Sequence, residues 1–250
     1  MLYSVEIPLQ VPQGMQVRPD MGSIMQGALM EIIANDAAQA LHTMQLRPYT
    51  QSIYYDHALR QGIWRLTAIH SYGYEEVIQP VLAQQSMYVK HRQAMLTLGK
   101  PLHVVQQTYE QLADQIFQPP HSPRGVDITF LTPTSFKHDN AYDMLPNIAR
   151  YYGSLLAKWN EFATTISLAQ EGLHEELAAH CRVTKLHIDS QPFGLEGIRV
   201  TGIVGTMRLQ FWGNDMMRRL QGLLWAFAPF SGLGIKNAIG MGVIKTQLRQ

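Results

Sequence analysis

The sequence contains a single cysteine, Cys181, among its 250 residues. One thiol can form neither an intrachain disulfide nor a metal site built from cysteines. We interpret Cys181 as a small buried apolar residue. Catalysis by a cysteine and a histidine stays open, although no known motif surrounds this position.

Long apolar segments are also lacking. No stretch of eighteen consecutive apolar residues occurs, and no N-terminal segment combines a basic start, an apolar run and a small-residue cleavage site. We therefore expect a cytoplasmic protein with no membrane partner.

Recognisable metal-binding patterns are absent as well. The sequence has no His-Glu-x-x-His, no cysteine pair and no EF-hand spacing. Several histidines have no second histidine four residues away: His57, His70, His103 and His121. The sequence therefore predicts a chemistry that uses neither a metal nor a cofactor.

The net charge of +1 conceals an uneven distribution. Residues 181–250 contain nine Lys and Arg against three Asp and Glu, whereas residues 1–180 contain eleven against sixteen. A basic C-terminal third on an acidic remainder indicates a local anionic ligand, or a charged face that only aids solubility.

Hydrophobic periodicity predicts the same order of elements twice. The first copy has strands over residues 1–11, 50–55, 63–69 and 95–98 and helices over 22–41 and 74–84. The second has strands over residues 126–131, 182–188, 198–211 and 243–248 and helices over 145–162 and 216–228. A proline-rich segment over residues 118–125 separates them. We therefore predict an α+β fold of two tandem ferredoxin-like βαββαβ domains, residues 1–118 and 125–250.

A glycine-rich run precedes the last predicted strand. It contains Gly232, Gly234, Lys236, Asn237, Gly240 and Gly242. Glycine permits positive φ and a close approach of a sugar-phosphate backbone, while lysine supplies a charge and asparagine a donor. The run fits neither the dinucleotide fingerprint nor the P-loop. On residues alone it predicts an RNA-binding loop or a mobile connection.

The run and its context resemble a known family. A GxGxxxxxGxG loop after a helix, in a tandem ferredoxin-like chain, resembles the repeat-associated RNA-binding (RAMP) superfamily of CRISPR systems. Within it the chain resembles the sixth Cas family, endoribonucleases that process CRISPR precursor transcripts. Residues 41–52, Leu-His-Thr-Met-Gln-Leu-Arg-Pro-Tyr-Thr-Gln-Ser, resemble the end of that family's first helix. Residues 130–137, Phe-Leu-Thr-Pro-Thr-Ser-Phe-Lys, resemble the segment that opens its second domain.

The resemblance implies a function and partners. The chain would cleave CRISPR repeats by attack of the neighbouring 2′-hydroxyl, without a metal, and so produce guide RNAs. Repeat RNA would be its main partner, with subunits of a CRISPR effector complex and a second copy of the chain as further candidates.

The candidate catalytic residues are His42 and Arg47. His42 falls at the predicted C-terminus of the first helix, where the carbonyl end favours the protonated imidazole. Histidine suits proton transfer near neutral pH, and an arginine five residues later can hold a phosphate as a planar fork. Alternatively, His42 only caps a helix carbonyl.

The relatives implied by the resemblance often carry a tyrosine on the first helix, where this sequence has Met30. Tyr49, Tyr54 and Tyr55 are the candidates to replace it, or the site uses His42 and basic residues alone.

Further basic residues are candidate RNA contacts. They are Lys90, Arg92 and Lys137, each of which also fits a solvated turn or loop. Two rival functions stay open: a catalytically inactive RAMP-type RNA-binding subunit of an effector complex, and a nucleotide- or flavin-binding enzyme whose glycine run holds a phosphate.

Overall fold

The first half of the chain forms an antiparallel sheet with helices on one face. The computed structural model describes residues 1–139, 141–195 and 197–250. The elements of this half are β1 (Leu2–Gln10), α1 (Gly22–Ile32), α2 (Asn35–Thr43), β2 (Tyr49–Asp56), β3 (Gln61–Ala68), α3 (71–82, with a π-helical stretch at Tyr74–Ile78), β4 (Ser86–Val89), β5 (Ala94–Leu98) and β6 (Leu102–Gln107). Strand β1 lies between β3 on one side and β5 and β6 on the other. This is a ferredoxin-like unit with an added β4–β5 hairpin.

The helix predicted over residues 22–41 is two helices. The backbone is extended at Ile33 and Ala34, with ψ of 160° and 144°. The Asp36 carboxylate then accepts a hydrogen bond from the Ala37 N–H and supports a new helix start. Because the apolar spacing continues across the break, periodicity alone could not reveal it. His42 therefore lies in the last turn of α2.

The second half repeats the architecture. Its elements are α4 (Tyr109–Phe117), β7 (Gly125–Thr134), β8 (Phe136–His138), β9 (Ala141–Asp143), α5 (Ile148–Phe162), α6 (Leu173–Ala179), β10 (Cys181–Leu195), β11 (Ile198–Phe211), α7 (Asp215–Ser231) and β12 (Ile244–Arg249). The sheet order is β10-β11-β7-β12, all antiparallel. The large buried side chains Trp159, Trp225 and Phe227 lie in its core. The predicted tandem ferredoxin-like fold is confirmed.

Helix α4 packs with the second half, although it precedes the proline-rich segment. The Tyr109 ring meets Trp159 edge-on at 4.9 Å between centroids. The Arg219 guanidinium donates to the carbonyls of Ile116 at 2.6 Å and Pro119 at 2.9 Å. The domain boundary at residues 118–125 stays a prediction, with α4 attached to the second core.

A proline inside α7 shapes the approach to the glycine run. Pro229 has no N–H, so the Trp225 carbonyl loses its helical partner. The Thr246 hydroxyl on β12 donates to that carbonyl at 2.9 Å instead. The helix therefore continues past the proline and ends at Ser231, directly before Gly232.

The end of α7 docks on the first sheet. Thr67 Oγ1 donates to the Phe230 carbonyl at 2.5 Å, and an Arg65 nitrogen lies 3.2 Å from the Pro229 carbonyl. Both side chains come from β3 and are buried. These contacts fix the second half, and the glycine run that follows α7, against the first half.

None of the helices that the structure describes combines the length and apolarity that crossing a membrane requires.

Candidate active site and RNA-binding loop

The glycine run folds as a tight loop, here called the glycine loop, residues 232–242. All four of its glycines have positive φ. Leu233 and Gly242 face each other, and the Leu233 N–H donates to the Gly242 carbonyl at 2.8 Å. A Cβ at Gly242 would clash with the Leu233 carbonyl oxygen and with the Asn237 side chain. Glycine is therefore required at this position by the path of the loop itself.

Asn237 holds the glycine loop together from inside. Its buried amide nitrogen donates to the carbonyls of Leu233 and Met241, both at 3.1 Å, and its oxygen accepts from Lys158 Nζ at 2.5 Å. The polar atoms of this amide are thus engaged within the protein. Asn237 therefore supports the loop, and its role as a donor to RNA stays a prediction.

Lys236 is half-buried on the outer side of the glycine loop. Its backbone is left-handed, with φ of 57°, and it precedes a single 3₁₀ turn, Asn237–Ile239. Within the described ranges, no carboxylate lies within 4.0 Å of its Nζ. Its charge is therefore available to a phosphate.

The glycine loop docks on the start of α1 through main-chain atoms. A Cβ at Gly22 would lie 2.5 Å from the Ile239 carbonyl oxygen, and one at Gly240 would lie 3.0 Å from the Gly22 Cα. The buried Gln51 amide donates to the Gly22 carbonyl at 2.6 Å and so fixes the start of the helix. At this junction the two main chains thus meet without a side chain between them.

A cavity of about 570 Å³ opens beside this junction. Its lining comes from both halves of the chain: Ser23, Gln26, Gly27, Met30, Ala38, Leu41, His42, Arg47 and Tyr49 from the first, and Leu195, Ile198, Lys236 and Ile239 from the second. The structure therefore brings three of the predicted site residues, His42, Arg47 and Lys236, to one place.

His42 and Arg47 take different positions at the end of α2. Arg47 Nε donates to the Leu41 carbonyl at 3.2 Å, so arginine satisfies a carbonyl at the end of the helix. The His42 side chain is exposed. This arrangement leaves the imidazole accessible to a ligand in the cavity.

Tyr49 is the candidate tyrosine that lines the cavity. The Gln26 amide nitrogen lies 2.8 Å from its hydroxyl, and the hydroxyl lies 3.2 Å from the Gln26 amide oxygen. Burial raises the pKa of Tyr49, so the hydroxyl stays protonated. Tyr54 instead lies under the Lys245 ammonium, and Tyr55 lines a separate cavity.

The other predicted basic contacts flank the cavity. Lys90 and Arg92 belong to a 3₁₀ turn and line an adjoining cavity of about 440 Å³, where Lys90 pairs with Glu31 at 2.8 Å. Lys137 is exposed on β8 and lines a smaller cavity beside Gly234. Their role as RNA contacts stays a prediction.

Sequence reasoning did not anticipate Lys158. It is buried on α5 next to Trp159 and lines a cavity of about 370 Å³ together with Arg47 and Lys236. The signal that could have identified it is a lysine on the apolar face of a predicted helix, because lysine is rarely buried without a partner.

No group of three or more His, Cys, Asp or Glu side chains is placed to hold a metal ion in residues 1–139, 141–195 and 197–250.

The chain thus consists of two ferredoxin-like units in tandem, and the glycine loop of the second lines one cavity with His42 of the first. Residues 128–244 match the family model described as CRISPR-associated endoribonuclease Cas6. The chain is 27% identical over 232 residues to a protein of that name from Mycobacterium tuberculosis (strain CDC 1551 / Oshkosh), which covers 91% of the chain and 72% of the relative. It is 24% identical over 224 residues to one from Streptococcus thermophilus, with 90% of each covered.

Solved structures of the same family share the fold. A Cas6 product complex superposes with a TM-score of 0.80 at 19% identity, covering 99% of this chain and 100% of the other. A Cas6 from Thermus thermophilus superposes with a TM-score of 0.74 at 20% identity, covering 99% and 98%. Over at least 90% of its length the chain is thus similar to proteins described as CRISPR-associated endoribonuclease Cas6. The resemblance drawn from the sequence is thereby confirmed.

Proposed function

We propose that this chain is an endoribonuclease that cleaves CRISPR precursor transcripts within their repeats by attack of the neighbouring 2′-hydroxyl. The single observation that carries the proposal is the cavity shared by His42, Arg47 and Lys236. It offers one proton-transfer group and two cations, which is the set that RNA transesterification needs.

The reaction forms one bond and breaks another at the same phosphorus. The 2′-oxygen attacks, its proton leaves, and the bond to the 5′-oxygen breaks as that oxygen takes up a proton. The products are a 2′,3′-cyclic phosphate and a 5′-hydroxyl. His42 moves one of these two protons, as general acid or general base, and transfer of this kind typically contributes about 10²–10⁴-fold in rate.

The two cations stabilise the five-coordinate phosphorane. The Arg47 guanidinium is partly held by the Leu41 carbonyl, so its planar fork is already oriented. Lys236 approaches from the glycine loop on the other side of the cavity. Charges placed in advance need no reorganisation when negative charge develops on the phosphate oxygens.

The relatives favour an enzyme over an inactive subunit. Those from Mycobacterium tuberculosis and Streptococcus thermophilus are both described as endoribonucleases, and structures of the family include a product complex and a substrate mimic complex. Repeat RNA is accordingly the proposed partner here. Effector-complex subunits and a second copy of the chain remain predicted partners.

Cleavage of labelled repeat RNA in EDTA tests the proposal. We expect the wild type to cut, His42→Ala to lose about 10²–10⁴-fold in rate while still binding, and RNA with a 2′-deoxy residue at the scissile position to resist cleavage. His121→Ala removes an exposed histidine outside the cavity and should cut normally.

Three outcomes would contradict this scheme. Wild type that binds but does not cut indicates the inactive subunit. Inhibition by EDTA indicates a metal-dependent reaction. Normal cutting by His42→Ala removes the histidine from the mechanism.

Lys236→Ala tests the glycine loop as a phosphate contact. We expect weaker RNA binding and a slope of log affinity against log salt that is smaller by about 0.7 to 0.9. Lys100→Ala removes an exposed lysine outside the cavity and should leave the slope unchanged. Equal slopes for wild type and Lys236→Ala would place this lysine outside the RNA contact.

A further inference from the structure

Lys158 is buried on α5, with 7% of its surface exposed. Its ammonium donates three hydrogen bonds: to the Ser231 carbonyl at 2.9 Å, to the Gly232 carbonyl at 3.0 Å and to the Asn237 side-chain oxygen at 2.5 Å. None of the three acceptors is a carboxylate.

An aliphatic residue would fill the same space at a smaller desolvation cost. Removing an ammonium from water without a counter-ion is unfavourable, and burial lowers the pKa of Lys158 to about 7. Two of its acceptors are carbonyls at the C-terminal end of α7, where the helix dipole favours a cation. The desolvation cost of the ammonium therefore indicates that Lys158 does more than fill the core.

The contacts of Lys158 lead directly to the glycine loop. Its third acceptor, Asn237, in turn donates to the Leu233 and Met241 carbonyls on the two arms of the loop. Lys236 directly precedes Asn237 in the chain and adopts a left-handed backbone. The Lys158 ammonium thus links the end of α7 to the segment that carries Lys236.

We propose that Lys158 is a positioning residue for RNA binding: acting through Asn237, it holds the backbone at Lys236 so that the Lys236 ammonium faces the phosphate beside His42 and Arg47. The proposal rests on the proposed function, because Lys236 is taken to contact RNA. Lys158 itself does not touch the RNA, since its donors are used inside the protein.

A double-mutant cycle on RNA affinity tests this link. The variants are Lys158→Met, Lys236→Ala and the double mutant, measured with uncleavable 2′-deoxy repeat RNA. If Lys158 acts through Lys236, each single variant weakens binding several-fold and the double mutant binds little worse than either. In the Lys158→Met background, Lys236→Ala should no longer change the salt slope. Independent, multiplying losses would overturn the proposal.

A second variant guards against misfolding of Lys158→Met. Asn237→Ala cuts the same link at its other end and leaves Lys158 two carbonyl acceptors. It should show the same non-additivity with Lys236→Ala, whereas Lys100→Met, at an exposed lysine, should be additive with it. Additivity of Asn237→Ala with Lys236→Ala would likewise overturn the proposal.

Amide hydrogen exchange separates failure of this link from failure of the proposed function. Lys158→Met should speed exchange in residues 233–242 and leave the β10–β11 hairpin unchanged. Wild type that binds no repeat RNA would contradict the proposed function, and exchange would still test the link. Unchanged exchange in the loop would overturn the role of Lys158 whatever the RNA result.

Discussion

At the scale of single residues, the cavity combines groups that differ in how strongly the protein holds them. His42 is exposed at the end of α2, whereas the neighbouring Arg47 is anchored to the Leu41 carbonyl. Tyr49 is the most tightly held of these side chains, because Gln26 contacts its hydroxyl at the wall of the cavity. The histidine proposed to move a proton is thus accessible, and the arginine proposed to orient the phosphate is anchored.

Tyr49→Phe tests whether this hydroxyl takes part in cleavage. Since burial raises the pKa of Tyr49, its hydroxyl can donate a hydrogen bond near neutral pH but cannot serve as a base. We expect a modest fall in the single-turnover rate, about tenfold or less, corresponding to one hydrogen bond of about 1 kcal/mol. The pH at which the rate changes should stay the same.

Tyr54→Phe is the matched control for that substitution. Tyr54 is also buried on β2, but it lies outside the cavity and its hydroxyl has no hydrogen-bond partner among the described residues. Its cleavage rate should equal that of the wild type. A loss shared by both variants would point to a disturbed β2 and not to a role for the Tyr49 hydroxyl.

The sequence allowed prediction of which residue types perform chemistry, but not of their partners. His42, Arg47 and Lys236 could be proposed because their side chains have few other uses in such positions. The hydrogen bond of Asn237 with Lys158 could not be predicted, because the two residues are 79 positions apart in the sequence. Hydrogen bonds between distant segments follow from packing, which periodicity does not encode.

At the scale of elements, the glycine loop depends on backbone geometry that only glycine tolerates. Gly242→Ala would combine a φ of 69° with a clash against the Leu233 carbonyl. We expect a loss of about 1–3 kcal/mol in the free energy of unfolding by urea denaturation, together with weaker RNA binding.

Gly14→Ala provides the comparison for the strained backbone alone. Gly14 has a φ of 86° but nothing within 4 Å of an added Cβ. It should therefore lose less stability and bind RNA normally. Equal losses in the two variants would mean that the clash at Gly242 adds nothing.

Lys158 should also make the stability of α5 and α7 depend on pH. Its folded pKa of about 7 lies below its ordinary value of 10.5. Between these values the unfolded chain binds more protons, so the free energy of unfolding should rise with pH by up to about 1.4 kcal/mol per pH unit. The gain is complete above the unfolded value and is lost as pH falls through about 7.

Urea denaturation between about pH 7 and about pH 9.5, which lies between the folded and unfolded pKa of Lys158, measures this dependence. The free energy of unfolding of the wild type should rise with pH relative to that of Lys158→Met. Relative to Lys100→Met it should stay constant. Arg47 and Lys236 line the same cavity and are the same residues in both proteins. A constant difference for Lys158→Met would show that Lys158 titrates as in water.

The repeated order of the main elements could be predicted from periodicity, because those strands and helices carry their own apolar patterns. The break at Ile33 and Ala34 could not, since both residues also suit a helix. The sequence predicts one strand where the structure has the β4–β5 hairpin, because β4 has only four residues. Strand β6 was missed because exposed side chains predominate in it, so alternation gave no signal.

At the scale of the whole molecule, the active cavity exists only while the two halves are docked. Thr67→Val tests this dependence, because it removes the hydroxyl that donates to the Phe230 carbonyl while keeping a similar shape. An unsatisfied buried carbonyl costs about 1–3 kcal/mol, so unfolding should become easier by that amount. Cleavage at saturating RNA should also slow, because Phe230 lies two residues before the glycine loop.

Thr97→Val is the control, since Thr97 is exposed on β5. It should change neither stability nor cleavage. Normal cleavage by a destabilised Thr67→Val would show that the cavity tolerates movement between the halves.

The tandem fold could be predicted from the repeated order of strands and helices. The way in which the two units dock could not. Their interface uses carbonyls at the end of α7 and buried polar side chains of β3, which a hydrophobic pattern does not report. The charge split predicts an anion-binding surface on the second half, and Lys236 is a basic residue of that half that lines the cavity.

The junction of Gly22 with Gly240 has a consequence for how the cavity can change. Two main chains meet there, and no rotamer can lengthen or shorten the contact. The separation of the cavity walls is therefore independent of the side chains that line it. Residues such as Met30 and Ile198 can therefore be exchanged to alter the shape of the cavity, while the spacing between the two main chains beside it is inherited unchanged.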